Sequence, residues 1–131
     1  CKYNKRRNRE TYESTKEKSY LDDAHQLATA CFNNFFGVPL DTCSFKRLKD
    51  HNLWFIAVML RGYRELYSVD KSPVYLKTFK DNLDRAWNLM RDKYGLFNTN
   101  WSSLKNDDRK WLLNQGAMVE MYAVISKISQ L

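Results

Sequence analysis

The chain has 131 residues, 44% of them hydrophobic and 15% aromatic, with only four glycines and two prolines. That length supports one modest core, and so few turn-forming residues argue against an all-β fold. A formal charge of +7 raises nucleic acid as a partner, whereas no apolar run reaches the length of a membrane span.

Residues 1–18 carry much of the charge. Lys2, Lys5, Arg6, Arg7, Arg9, Lys16 and Lys18 stand against Glu10, Glu13 and Glu17. Such a block predicts a solvated, mobile arm. Phosphate contact is its alternative and would show as steep salt dependence. No base-reading module accompanies it, so no nucleic-acid partner is expected.

From Ser19 to about Phe36, Leu21, Ala24, Ala28, Cys31 and Phe35 recur at steps of three and four, the stripe of an amphipathic helix. The adjacent acids Asp22 and Asp23 invite comparison with a glycosidase pair. Ser19 three residues before Asp22 gives them a simpler role, a capping box at a helix start. Gly37 and Pro39 end the element. The loop "DTCSFKRLKDH" then mixes charged and aromatic residues, as substrate-facing loops and ordinary connectors both do. A second helix, from about Asn52 to Ser68, is apolar almost all round in its first half, which predicts a buried inner helix.

The third helix is bounded by Ser72 as N-cap, Pro73 in the first helical position and Gly95 as a left-handed C-cap. Its stripe is Leu76, Phe79, Leu83, Ala86, Trp87, Met90 and Tyr94. After the loop "LFNTNWSSL" a fourth helix runs from about Asp108 to Ile128. Asp107 and Asp108 stand at its entry as capping acids. Trp111, Met118, Tyr122 and Ile125 form one apolar line, with Ala117, Met121, Val124 and Ile128 beside it.

The pattern predicts a single all-α segment, residues 1–131, of long helices paired into hairpins, in a bundle, a solenoid or part of an α/α barrel. Three cysteines (Cys1, Cys31, Cys43) show no metal-ligand spacing. Cys31, on the apolar face, reads as a small buried hydrophobe. His25 and His51 are too few for a metal site. No phosphate loop or nucleophile elbow is present.

Several segments carry a family signal in their order. They are "WFIAVMLRGYRELY", then the N-x-D-x-A-W of Asn82 to Trp87, then "RDKYGLFNTNWS", and last "QGAMVEMY". With "SYLDDAHQLATACFNNFF" and "YNKRRNRET" upstream, they resemble the C-terminal part of glycoside hydrolase family 76, the endo-α-1,6-mannanases of gut bacteria. The resemblance covers some 120 residues.

It implies an α/α barrel of helical hairpins and retaining hydrolysis of α-1,6-mannosidic bonds by an adjacent Asp–Asp pair in unlike environments. It also implies an exported protein, an α-mannan or mannooligosaccharide ligand and no cofactor. The family's catalytic pair lies in its N-terminal half, in a W-D-D context. Asp22 and Asp23 match a different place, so no catalytic pair is assigned in this chain. Between "RRNRET" and "KEKSYLDDA" the family carries a further tyrosine-rich stretch that this chain lacks.

Part of a barrel would expose helix faces that seek a partner, whether the missing N-terminal half or a second copy. A non-catalytic helical interaction module is thus the competing reading. Sugar sites combine an aromatic platform with polar groups that fix hydroxyls. On that ground the substrate-contact candidates are Asp50 and His51 in the loop, Trp54 and Phe55 at the helix start, Arg61 within the apolar helix, Trp101 and Gln115. For the aromatics, core packing is the competing role; for Arg61, it is a structural ion pair.

Overall fold

The computed structural model describes residues 2–38, 44–101, 107 and 109–128, with side chains from residue 18 onward. Helix α1 (Lys2–Phe35) begins well before the predicted start at Ser19. The upstream segment is rich in Lys, Arg and Glu, good helix formers that show no apolar stripe, so periodicity could not register it. Ser19 therefore sits inside the helix and forms no capping box. Asp22 and Asp23 are exposed mid-helix residues, and the Asp–Asp pair has no capping role.

After α1 comes a feature the sequence pattern did not announce. Strand β1 (Phe36–Gly37) pairs antiparallel with β2 (Arg47–Leu48), placing Phe36 opposite Leu48. Two-residue strands are too short to leave an alternation. They form because Phe36 and Leu48 both reach the core, at 2% and 3% exposure.

Helix α2 (Leu53–Asp70) is capped by Asn52, whose Oδ1 accepts the Trp54 N–H at 2.9 Å. It ends at Lys71, which adopts a left-handed conformation (φ 57°) and returns its N–H to the Tyr67 carbonyl at 3.0 Å. Helix α3 (Val74–Leu89) starts one residue later than expected, with Pro73 itself at the cap. It also stops earlier. Gly95 is left-handed (φ 83°), but in the following loop rather than at the helix end. Helix α4 spans Leu112–Ser126.

Two cross-links fix the relative direction of α2 and α4. Asn100 donates to Asp50 just ahead of α2, and Arg61 pairs with Glu120 farther along both helices. The two helices therefore run parallel, and α1 and α3 run opposite to them as the first arms of two hairpins. The described parts of both long connections, residues 36–38 and 44–52 and residues 90–101, 107 and 109–111, lie at the N-terminal end of α2 and α4. The short turn at 71–73 lies at the other end.

The core gathers Leu53, Ile56 and Leu60 from α2, Leu76, Phe79 and Leu83 from α3, and Ala117, Met118 and Met121 from α4. Each larger side chain contributes about 1.5–3 kcal/mol by leaving water. Aromatic rings close the α1 side. Phe36 meets Phe79 edge-on with centroids 5.2 Å apart, and Tyr63 stacks on Tyr75 at 4.5 Å. The Tyr63 hydroxyl donates to the Ala28 carbonyl at 3.0 Å, and burial pushes its pKa up. The predicted stripes of α3 and α4 hold at their centres. Three members depart from them: Trp87 is exposed on α3, Tyr94 lies exposed beyond its end, and Trp111 precedes the first turn of α4 at 62% exposure.

Candidate functional site

The end with the long connections is where loops can face a ligand, and buried polar side chains hold those loops in place. Asn82 on α3 is the anchor of the first connection. Its Oδ1 accepts the Leu48 N–H at 2.8 Å, and its Nδ2 donates to the carbonyls of Lys46 and Thr78 at 2.9 and 2.8 Å. Arg47, also buried, donates to the Trp101 carbonyl at 2.9 Å and so ties the first connection to the second.

The second connection folds back on itself after α3. Arg91 bridges to Phe97, and the Asn98 N–H donates to the Met90 carbonyl at 2.8 Å. The Asp92 carboxylate accepts the N–H groups of Tyr94 and Leu96, both at 2.9 Å. Desolvation works to raise the Asp92 pKa, but the backbone donors from Leu96 and Tyr94 outweigh it and hold the group below the usual carboxylate value. Farther on, Asp107 accepts the Thr99 N–H, while its own N–H donates to the Asn98 side chain. It thus braces the loop rather than capping α4. Asp108 lies outside the described residues.

Within this frame the candidate residues separate. Gln115 pairs with the Phe97 backbone: its Oε1 accepts the Phe97 N–H and its Nε2 donates to the Phe97 carbonyl, both at 2.9 Å. Trp101 is a core residue, 4% exposed, with its indole N–H on the Asn98 carbonyl at 3.0 Å. Both hold the second connection in this structure. For Trp101 this is the core-packing role set beside sugar contact for the aromatics. His51 packs its ring on Phe35 with centroids 4.5 Å apart. Asp50 is exposed and accepts from Asn100 Nδ2 at 2.8 Å.

Trp54 and Arg61 do come together. The indole is 39% exposed, and the guanidinium carbon stands 5.7 Å from its ring centroid. Arg61 also meets Glu120 in a two-pronged pair, Nε to Oε1 and Nη2 to Oε2, the latter at 2.8 Å. The hydrogen bond to Glu120 raises the arginine pKa and lowers that of the carboxylate, so both stay charged. Glu120 escaped the sequence reading because one acid on an apolar helix carries no spacing signal.

Phe55 faces elsewhere. It lines a groove of about 930 Å³ between α1 and α2, together with Leu21, Leu27, Cys31, Val58 and Val69. Leu27, Phe55 and Val69 are each more than 60% exposed there. Cys31 is a free thiol on this wall, partly buried as its place on the apolar face predicted. Among the described residues no group of three His, Cys, Asp or Glu side chains could hold a metal ion, and no helix is long and apolar enough to cross a membrane.

No family model matches the chain, and no curated protein matches it. Solved structures do. A family 76 glycoside hydrolase from a bovine Bacteroides thetaiotaomicron strain superimposes with a TM-score of 0.79 at 36% identity, covering 88% of this chain and 26% of that one. A family 76 glycoside hydrolase described as a mannosidase, also from Bacteroides thetaiotaomicron, gives a TM-score of 0.74 at 30% identity, covering 88% of this chain and 33% of that one. The chain thus spans between a quarter and a third of the length of the structures it matches. Over the residues it shares with them, this chain has the fold and the sequence of a portion of a family 76 glycoside hydrolase.

Proposed function

We propose that this chain supplies C-terminal wall and substrate-contact elements of an exported α/α-barrel glycoside hydrolase that cleaves α-1,6-mannan with retention. The catalytic Asp pair would come from the complementary part of the barrel. The observation that carries this reading is the match at 36% identity over 88% of the chain. The parallel α2 and α4, backed by the antiparallel α1 and α3, are what an inner and an outer layer of such a barrel require. Of the sequence candidates, Asp50, His51, Trp54 and Arg61 keep a place at or near the loop-bearing end.

Reconstitution tests it. The chain would be mixed with the portion of the Bacteroides thetaiotaomicron mannosidase that has no counterpart here, and release of reducing sugar from α-1,6-mannan followed. Hydrolysis by the mixture and by neither part alone supports the reading. Co-elution of the two parts without hydrolysis counts against it.

One observation favours a second reading, a non-catalytic interaction module. The α1–α2 groove presents apolar side chains in quantity, and such patches mark sites of association. Concentration-dependent dimerisation of the chain, with no response to mannooligosaccharide, would support that alternative.

A further inference from the structure

An ion pair on the outer face of two tightly packed apolar helices calls for a reason. Arg61 and Glu120 join α2 to α4, yet their side chains remain 48% and 30% exposed. Single-contact pairs so exposed contribute little to stability, and the two-pronged geometry here places this pair at or above the top of their range. The buried contact beneath them, with Leu60, Met118 and Met121 at or near zero exposure, already holds the helices together.

Its geometry fits a ligand. The two-pronged pairing fixes the guanidinium plane and leaves Nη1 with no hydrogen bond among the described residues. Each Glu120 oxygen keeps acceptor capacity beyond its one bond to Arg61. Donor and acceptor edges thus lie side by side, the arrangement that neighbouring hydroxyls of a sugar ring need. Seven residues separate Trp54 from Arg61, about 10.5 Å along a helix. Helical side chains lean toward the N-terminus, which brings the guanidinium back over the indole. With the guanidinium 5.7 Å from the centroid, Trp54 still has 39% of its surface exposed. That surface can take the C–H face of a pyranose. The pair as a whole is neutral, which disfavours a phosphate or carboxylate ligand and favours an uncharged one.

We propose that Trp54, Arg61 and Glu120 form a non-catalytic subsite for a neutral pyranosyl unit, with Glu120 as hydroxyl acceptor, Arg61 as donor and Trp54 as stacking platform. This deepens the mannan reading and rests on it for the identity of the sugar.

The test is calorimetric titration of the whole chain with α-1,6-mannotriose, beside Glu120→Gln, Trp54→Leu and a control, Trp87→Leu. Trp87 is a comparably exposed tryptophan with its own arginine, Arg91, at 3.8 Å, but on α3. Each of the two subsite variants is expected to weaken binding by about tenfold or more, the effect of losing one charge-assisted hydrogen bond or a stacking face. The control should bind as the parent does, and Glu120→Gln should melt within a degree or two of it. Parental affinity in both subsite variants overturns the proposal. So does the absence of saturable binding by the parent chain. Recovery of hydrolysis in the reconstituted mixture is scored separately, so the mannan reading can stand when this subsite falls.

Discussion

Two faces of α2 show what the same apolar composition does in different company. On one face Leu53, Ile56, Ala57, Leu60, Tyr63 and Leu66 are buried against the rest of the molecule. On the other, Phe55, Val58 and Val69 stand in an open groove, although they are as apolar as their neighbours. The first face therefore stabilises this chain. The second can stabilise only an assembly that covers it. Apolarity in a helix thus reports how many sides are to be covered, without saying what covers them.

The largest effects are expected on the buried face. Leu60→Ala or Met118→Ala should cost about 2–5 kcal/mol, because each side chain is fully buried and its removal leaves a cavity. Chemical denaturation would measure it. Phe55→Ala should change stability by less than about 1 kcal/mol in the same assay, since its ring is 64% exposed. Equal losses at the two positions would mean that the groove is closed in solution.

Next in size is Asn82→Ala. It strands the buried Leu48 N–H and releases the Lys46 carbonyl, and leaving a buried backbone group unpaired costs about 1–3 kcal/mol. Hydrogen exchange should show the loss as faster exchange of the Leu48 amide.

Gly62→Ala should act in the opposite direction. A methyl group built there meets nothing within 4 Å. Replacing a mid-helix glycine with alanine should raise stability by about 1 kcal/mol, read as a higher melting midpoint. If the groove is occupied by a close-packed partner, the same methyl group should weaken that association, and the comparison of the two faces is sharpened.

The smallest effect concerns pH. Both Asp92 and Glu120 are held below their ordinary values in the folded chain. Such carboxylates contribute stability that is present above the unfolded-state pKa and lost as pH falls through the folded one. Asp92→Asn and Glu120→Gln should each flatten the acid limb of the stability profile by slightly lowering its neutral plateau, while leaving the stability below about pH 4 little changed.

Legibility varied along the chain for physical reasons. The stripe Leu76, Phe79, Leu83 and Ala86 was plain in the sequence, because one helix face meets one core. The cap at Asn52 and the pairing of Arg61 with an acid were also within reach, since orphan amides and semi-buried charges demand partners. The start of α1 was not, because a helix without an apolar stripe has no period to detect. Asp22 and Asp23 looked like caps only because the helix seemed to begin beside them. Gln115 and Trp101 show a different limit. Both are residue types that serve sugars well, and both are used inside the protein to hold a loop whose path no local pattern predicts.

What the sequence determined by itself was the helical class, the hairpin order and the resemblance to family 76. These depend on side-chain period and residue order, which are local. Only the tertiary structure decided that α2 and α4 lie parallel, that Glu120 meets Arg61 across them, and which apolar residues remain uncovered. Those facts depend on which surfaces meet, and residues 59 positions apart in the chain become neighbours only when the core forms.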